Sequence, residues 1–379
     1  MGTKLRMLPT EMEMKKVGII SFHRSINFGS ALQAFALSRF LNKHGYVPEH
    51  IDLSTAEQRA LYRLFPSFKS PGDLLRNIFY LWHGISWFRK KEKFKRFLKN
   101  FVPTGKTYLS ATILRQSPPS YDWYICGSDQ IWNQFCLDFS PAYFLDFVED
   151  KKCCFSYAAS LGRTDFTLEQ LQFFQKNLKG FNAISVRESQ GQEILSPLLE
   201  QPVSVVLDPT VLIDTDEWRF ISKKVKTPKK YILCYFLGAG VEMRKFAGRL
   251  HRETGLPLLT VRMNLRDIFL PCKKYYGIGP QEFLYLLDHA EFVCTGSFHA
   301  VIFSILFRKK FWAFVNLEGN DCQSRLQSLL TKLNLTHRIL KYADAPVSLN
   351  EEIDFKDAEM RLAKEIKYSA QWLLSSLQS

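Results

Sequence analysis

One stretch of the chain, residues 291–307, limits the possible folds more than any other: EFVCTGSFHAVIFSILF. Its first five residues are typical of a short buried strand, the small polar residues that follow predict a turn, and the residues from Phe298 onwards predict a helix. This helix is apolar on almost every side, and a helix of that kind is buried. A chain of 379 residues is long enough to enclose it, and suggests two domains with ample core.

His299 occupies the first turn of this predicted helix. Backbone N–H groups in a first turn have no partner within the helix, and the helix dipole favours an anion there. Ser297 precedes the helix at a position suited to an N-cap. The stretch supports two interpretations equally: His299 lies beside an anion-binding helix start, or it is a core histidine with satisfied hydrogen bonds.

Alternating strand and helix patterns predict the fold class. Residues 17–22, 30–44 and 49–53 predict a strand, a helix and a strand, which is typical of a parallel sheet. The pattern resumes at residue 122, and a second alternating unit begins at residue 231 after a polar, lysine-rich linker over residues 215–230. We therefore expect an α/β protein with two Rossmann-like domains, residues 15–222 and 223–350. A final helix within residues 351–379 is expected to cross back to the first domain.

The charge of the chain narrows its expected partners. A formal net charge of +14 suits an anionic substrate, a nucleic acid or an anionic membrane surface. No nucleic-acid-binding motif is present, so we expect no nucleic-acid partner. Residues 88–99 form a basic amphipathic stretch, which predicts either peripheral contact with an anionic membrane or a solvated helix face.

Targeting and cysteine patterns favour a cytoplasmic location. No apolar run reaches the roughly 18 residues that span a bilayer, and the N-terminal residues lack the apolar core of a signal peptide. The eight cysteines include no C-x-x-C pair and no cysteine–histidine spacing typical of zinc. We expect free thiols in a reducing cytoplasm, possible contact with the inner face of the membrane, no metal and no cofactor.

Polar residues collect directly after the predicted strands. In an open parallel sheet, ligands bind outside the carboxyl ends of the strands, so two sheets would place these residues on facing walls of one cleft. The residues are His23, Arg24, Asn27, Asp129, Gln130, Asn133, Ser156, Ser160, Arg187, Glu188, Asp208, Ser297 and His299.

Each of these groups also has a structural interpretation. A turn explains residues 27–29, a core position explains Trp132, a local ion pair explains Arg187 and Glu188, and a strand end explains Asp208. Only the common position of the groups, after strands of two sheets, favours the cleft.

Six stretches spread over residues 17–307 match a known family in order: VGIISFHRSINFGSALQAFAL, YICGSDQIWN, FSYAASLG, ISVRESQG, VVLDPTVLI and GPQEFLYLLDHAEFVCTGSFHAVIFSILF. Together they resemble the polysaccharide pyruvyl transferase family. The resemblance implies two domains arranged as in GT-B glycosyltransferases, with a central cleft. It also implies transfer of the pyruvyl unit of phosphoenolpyruvate, a co-substrate, to a sugar as a ketal. The implied acceptor is a sugar of a surface polysaccharide or of its lipid-linked precursor.

The resemblance also implies roles for individual residues. His299 matches the family's catalytic histidine, and Arg187 lies at a position associated with donor binding. The chemistry of the expected reaction also needs a group that positions or deprotonates the acceptor hydroxyl, and Asp129 and Glu188 are the candidates. The expected donor-binding residues are Thr295, Gly296, Ser297, Arg187 and Arg325. The expected acceptor-binding residues are Asn27, Gly29, Ser30, Gln33, Gln130, Trp132, Asn133 and Ser156.

One departure from the family pattern concerns the donor. Several members carry an arginine where this chain has Ser297, so the charge of the donor must be met by another cation. The unranked candidates are Arg187, Arg262, Arg266, Lys273, Lys274 and Arg325.

Two other functions agree with the same sequence. One is a GT-B glycosyltransferase that uses a nucleotide sugar, in which His299 would act on the leaving phosphate or the acceptor. The other is a non-catalytic relative that binds a sugar or a membrane.

Overall fold

A computed structural model of the protein describes residues 14–62, 77–78, 81–237, 240–262, 264, 267, 270–315, 323–343, 348 and 351–378. The first half of the chain alternates strands with helices. Its strands are β1 (Lys16–Ile20), β2 (Val47–Leu53), β3 (Thr104–Tyr108), β4 (Trp123–Asp129), β5 (Cys154–Ala159), β6 (Ala183–Val186) and β7 (Val203–Val205). Its helices are α1 (Phe28–Lys43), α2 (Ala56–Leu61), α3 (Gly84–Phe101), α4 (Ala111–Gln116), α5 (Leu168–Leu178), α6 (Ser189–Leu195) and α7 (Thr215–Ile221).

The second half repeats this alternation. Its strands are β8 (Ile232–Tyr235), β9 (Leu258–Thr260), β10 (Cys272–Lys274), β11 (Phe292–Thr295), β12 (Lys310–Phe314) and β13 (Ile339–Leu340). Its helices are α8 (Val241–Thr254), α9 (Pro280–Asp288), α10 (Phe298–Leu306), α11 (Gln323–Lys332) and α12 (Phe355–Ser376).

Two parallel sheets organise these elements. Among the described residues, seven strands form the first sheet in the order β3-β2-β1-β4-β5-β6-β7, and six form the second in the order β10-β9-β8-β11-β12-β13. Strand order reverses between β1 and β4 in one sheet and between β8 and β11 in the other. Ligands bind at such reversal points, because the loops that follow the two strands diverge and leave a crevice. The predicted α/β fold with two Rossmann-like units is confirmed.

Helix α1 lies where the two halves meet, and it is buried on nearly all sides. Its first residue, Phe28, stacks on Phe283 of α9 with ring centroids 4.2 Å apart, and its Phe35 packs on Trp218 of α7. One apolar cluster contains buried residues of both sheets and of α1, α9 and α10. Burial of this shared apolar surface holds the carboxyl ends of the two sheets together.

The final helix, α12, packs back against the first half. Ser369 accepts a hydrogen bond from the backbone N–H of Leu207 (2.9 Å), and Trp372 packs near Tyr157. Leu362 and Leu373 of the same helix are buried in the apolar cluster that contains residues of both halves. The expected return of the C-terminal helix to the first half is therefore present.

One expectation about a connecting segment requires correction, and a second segment is placed in a helix. The predicted linker over residues 215–230 begins with α7, whose Trp218 is completely buried and donates a hydrogen bond to the Thr210 carbonyl. The polar composition concealed this helix because it buries only one side. The basic stretch 88–99 is part of α3, and its Phe94 and Phe97 are buried against the core, so they are not free to enter a membrane.

In the described part of the chain, no helix combines the length and the apolar character that a bilayer crossing requires.

Candidate active site

The turn between β11 and α10 places His299 at the reversal point of the second sheet. Thr295 donates to the Tyr235 carbonyl (3.1 Å) and accepts from the Ser297 N–H (3.0 Å). Ser297 has extended backbone and accepts from the Ala300 N–H, so it is the N-cap of α10. These side chains shape the turn, and the ring of His299 is left almost buried, with 7% of the residue exposed.

Asp208 connects this histidine to the first half. It follows β7, where its Oδ1 accepts from the backbone N–H and the hydroxyl of Thr210 (3.0 and 2.7 Å). Its Oδ2 accepts from Ser128 (3.0 Å) and lies 3.4 Å from Nε2 of His299, close enough for an ion pair with the protonated ring but without the alignment of a hydrogen bond. Burial alone would raise the pKa of Asp208, but His299, Arg187 and the Thr210 hydrogen bond hold it well below its usual range.

Arg187 lies on the other side of Asp208, immediately after β6. Its Nη1 donates to Oδ2 of Asp208 (2.7 Å), its Nη2 is 3.7 Å from Oδ1 of Asp129, and its Cζ lies 4.5 Å from the ring centroid of Phe298. Among the described residues, Nε and Nη2 have no hydrogen-bond partner, although the residue is only 4% exposed. Burial would lower the pKa of Arg187, but Asp208, Asp129 and Glu188 raise it, so the guanidinium is a permanent cation. Two buried N–H groups without partners are costly unless a ligand satisfies them.

Asp129 closes the cluster from the end of β4. Its backbone has a φ of 73°, which is uncommon for a residue with a side chain and turns the carboxylate towards α1. Oδ2 accepts from the hydroxyl of Ser30, and Oδ1 accepts from the backbone N–H of Gln130. Burial opposes ionisation, but Arg187, His299 and these hydrogen bonds hold the pKa of Asp129 below its usual value.

Helix α1 meets α10 at Gly29. Asn27 caps α1 by accepting from the Gly29 N–H (3.0 Å), and a Cβ atom at Gly29 would overlap the imidazole ring of His299. The absence of a side chain therefore allows the two helix starts, each at the reversal point of its own sheet, to touch. Four of the expected cleft residues, Asp129, Arg187, Asp208 and His299, are brought together here.

A second contact between the halves involves Arg325 of α11. Its guanidinium lies within hydrogen-bond distance of the side-chain amide of Gln130 in the first half. The Gln130 amide also lies 3.1 Å from the amide of Asn133, whose Oδ1 accepts from the Phe135 N–H. Arg325 is therefore positioned at the same junction as Asp129, whereas Gln33 lies deeper and donates to the Ser30 carbonyl.

Three expected site residues prove to be structural. Trp132 is fully buried, donates to the Tyr143 carbonyl and stacks on Phe144. Its interpretation as a core residue is therefore confirmed. Ser156 is buried between β5 and β6, where it exchanges hydrogen bonds with the backbone of Ser185. The Thr295 hydroxyl donates to the Tyr235 carbonyl and accepts from the Ser297 N–H, so both of its hydrogen bonds shape the turn. The polar atoms of these three side chains already have hydrogen-bond partners in their own sheet, loop or turn, so we assign them no contact with the cluster around His299.

The expected pair of Arg187 and Glu188 also differs from the structure. Glu188 accepts from Ser160 and from the Leu161 N–H, both at 2.9 Å, and so anchors the loop after β5. Arg187 instead pairs with Asp208 and approaches Asp129. Asp208 is one of the polar residues expected along the cleft, but the expected donor- and acceptor-binding residues do not include it.

The remaining cationic candidates have no described contact with Arg187, Asp208 or His299 in the part of the chain that the structure describes. Arg262 donates to the Phe236 carbonyl (2.8 Å), while Lys273 and Lys274 are exposed on the edge strand β10. Arg266 is outside the described residues. In the part of the chain that the structure describes, no cluster of three histidine, cysteine or carboxylate side chains is arranged to hold a metal ion.

Comparisons with known proteins agree with this architecture. The family model described as polysaccharide pyruvyl transferase matches residues 27–318, most of the chain. No curated protein sequence matches it.

Solved structures resemble the chain over nearly its whole length. A putative UDP-N-acetylglucosamine 2-epimerase from Listeria monocytogenes has 11% sequence identity and a TM-score of 0.52, and the match covers 97% of this chain and 96% of that one. A trehalose-6-phosphate synthase, OtsA, has 9% identity and a TM-score of 0.52, with coverage of 96% and 99%. At such identities the likeness concerns the fold alone, and it is the two-domain GT-B fold.

Proposed function

Because the chain belongs to the polysaccharide pyruvyl transferase family, we propose that it transfers the pyruvyl unit of phosphoenolpyruvate to a sugar as a ketal. The sugar would belong to a surface polysaccharide or to its lipid-linked precursor. The observation that carries the proposal is the buried, unpartnered edge of the Arg187 guanidinium, which shares Asp208 with His299.

The donor fits this edge chemically. Phosphoenolpyruvate carries a carboxylate and a phosphate, together about three negative charges at neutral pH. Nε and Nη2 lie on one side of the planar guanidinium and can donate to both oxygens of a carboxylate. Arg325 and the N–H groups at the start of α10 are the groups proposed to hold the phosphate. They replace the arginine that other members carry at the position of Ser297.

His299 is the proposed general acid. Its imidazolium gives a proton to the methylene carbon of the donor, and the central carbon becomes oxocarbenium-like. A sugar hydroxyl attacks that carbon, the bond to the phosphate oxygen breaks, and a second hydroxyl closes the ketal. Of the two hydroxyl protons, one restores the imidazolium and the other leaves with phosphate. The charge of Asp208 compensates the imidazolium, and Asp129 positions the attacking hydroxyl.

The proposal is tested with purified protein, phosphoenolpyruvate and candidate acceptor sugars. We expect phosphate release that requires acceptor, with a matching mass increase of the acceptor. His299→Gln should lower kcat about 100-fold or more, which is the usual contribution of a general acid. The control is His289→Gln, an exposed histidine of the same half, and it should leave kcat unchanged.

Two results would contradict the proposal. One is a normal kcat in His299→Gln. The other is thermal stabilisation and turnover with a nucleotide sugar but not with phosphoenolpyruvate, since a ligand stabilises the protein only if it binds the folded state.

A further inference from the structure

A second concave site lies in the first half, away from the Arg187 edge. It is a cavity of about 600 Å³ bounded by the loop after β1, the end of β2, α2 and one side of α3. The proposed transfer does not use its polar lining. Five cations and one carboxylate, Asp52, line it among the described residues.

Helix α3 contributes three of these cations at four-residue intervals: Lys91, Lys95 and Lys99. This spacing places them in one row on the helix surface, where like charges repel each other. None of the three forms an ion pair with a carboxylate in the described part of the chain. The same helix turns Phe94 inward, so this row cannot rotate away from the cavity without exposing apolar surface.

The opposite wall is also positive. Arg24 forms a bidentate ion pair with Asp52. The Asp52 carboxylate also accepts from Thr107 and lies 3.2 Å from Nε2 of His23. Burial would raise the pKa of Asp52, but its hydrogen bonds to His23, Arg24 and Thr107 lower it strongly. Its charge is thus already compensated. The lysine row and Arg59 are left without a neutralising partner in the cavity.

The cavity is close to the reacting centre. Ile26 lines it, and Gly29, three residues further on, touches His299. Three residues span at most about 11 Å, a reach comparable with that of one phosphorylated sugar unit. A group bound in the cavity could therefore be attached to a sugar whose hydroxyls lie at Asp129 and His299.

We propose that this cavity binds the phosphate or diphosphate group that the acceptor sugar carries. Several fixed cations without carboxylate partners recognise a polyanion, and lysine is a common ligand of phosphate oxygens. The assignment of this polyanion to the acceptor rests on the proposed function. Binding of a polyanion in the cavity follows from the cations alone and does not depend on that function.

The test compares two double variants of α3 that remove the same charge. Lys91→Gln with Lys95→Gln changes the cavity wall, and Arg89→Gln with Arg96→Gln changes exposed positions of the same helix outside it. Binding of inorganic pyrophosphate is measured by calorimetry at low and high salt. The cavity variant should bind at least about tenfold more weakly, because charged hydrogen bonds are lost, and the control should differ by less than about twofold. Equal weakening in both variants, or none, would overturn the proposal.

A kinetic measurement then identifies the source of the phosphate. The cavity variant should raise the KM for a phosphorylated acceptor and leave the KM for phosphoenolpyruvate unchanged; the reverse pattern would assign the cavity to the donor and refute the proposal. Prenyl-diphosphate sugars and nucleotide sugars, compared as acceptors, distinguish a lipid from a nucleotide carrier. If no transfer from phosphoenolpyruvate is found, the pyrophosphate result still decides whether the cavity binds polyanions.

Discussion

At the scale of single residues, the contact between Gly29 and the His299 ring constrains the site directly. Gly29 belongs to the first half and His299 to the second, so the position of the imidazole depends on how the halves meet. The same ring lies beside Asp208, which Arg187 holds from the other side. A change at any of these positions should therefore move the proposed acid or alter its charge balance.

Gly29→Ala should lower kcat about 100-fold, because its methyl group would displace the imidazole and a shift of about 1 Å can cost that much. The control is Gly248→Ala, where a Cβ atom would meet nothing closer than Arg252 Nη1 at 3.6 Å. Both variants are compared by steady-state kinetics and thermal unfolding. Full activity in Gly29→Ala would show that the close approach of the two helix starts is not needed for catalysis.

Asp208→Asn should change the pH dependence of stability. The folded protein holds the pKa of Asp208 below the unfolded value of about 3.9. Its contribution is therefore fully present above the unfolded pKa and is lost as pH falls towards the folded one. The difference in the free energy of unfolding between wild type and variant should be constant near neutral pH and shrink below about pH 4. Urea unfolding across this range measures it, with the exposed Asp216→Asn as control; a difference that stays constant would refute the expectation.

At the scale of secondary-structure elements, α3 has two different sides. Phe94 and Phe97 pack inward, while lysines and arginines face the cavity or solvent. The amphipathic pattern of residues 88–99 therefore arises from packing inside the protein. Contact with an anionic membrane stays a prediction, and it would have to depend on charge.

We expect the protein to sediment weakly with anionic vesicles at low salt and to be released as salt screens the attraction. Neutral vesicles should bind none of it, because the buried phenylalanines are not available for insertion. Vesicle sedimentation at two ionic strengths measures this. Equal binding to neutral and anionic vesicles would instead favour the exposed apolar residues of the neighbouring segment, such as Trp82 and Ile85.

At the scale of the whole molecule, the two halves close over the site. His299, Arg187, Asp208 and Arg325 are each less than a tenth exposed. Because these side chains are so little exposed, we expect the halves to separate during turnover to admit the proposed donor. Ser189 of α6 and Ser328 of α11 lie across this junction with their hydroxyl oxygens 3.2 Å apart.

A disulfide between these two positions should stop that separation. We expect Ser189→Cys with Ser328→Cys to lose at least about tenfold in kcat on oxidation and to regain it on reduction, since opening admits substrate. Each single variant, treated in the same way, should keep its activity. Bridge formation is checked by mass spectrometry. A bridged protein with undiminished kcat would show that substrates reach His299 without separation of the halves.

The sequence by itself determined the local elements and their class. The strand and helix predicted around His299 match β11 and α10 within one residue, and the helix predicted over residues 30–44 matches α1 within two. These features depend on neighbours in the chain: apolar periodicity, a capping residue and a polar turn. The same information was enough to predict two parallel sheets, since β-α-β alternation permits few other arrangements.

Only the tertiary structure decided which polar residues meet. The sequence did not distinguish Trp132, which fills the core, from Gln130, which reaches Arg325, because both follow the same strand. Nor did it join Asp208 to Arg187 and His299, which come from three different strand ends. Such contacts depend on the order of the strands and on the apolar surface that the two halves share. Both bring together residues that are far apart in the chain. A local pattern shows that a side chain is buried or follows a strand, but the packing of the two sheets selects its partner.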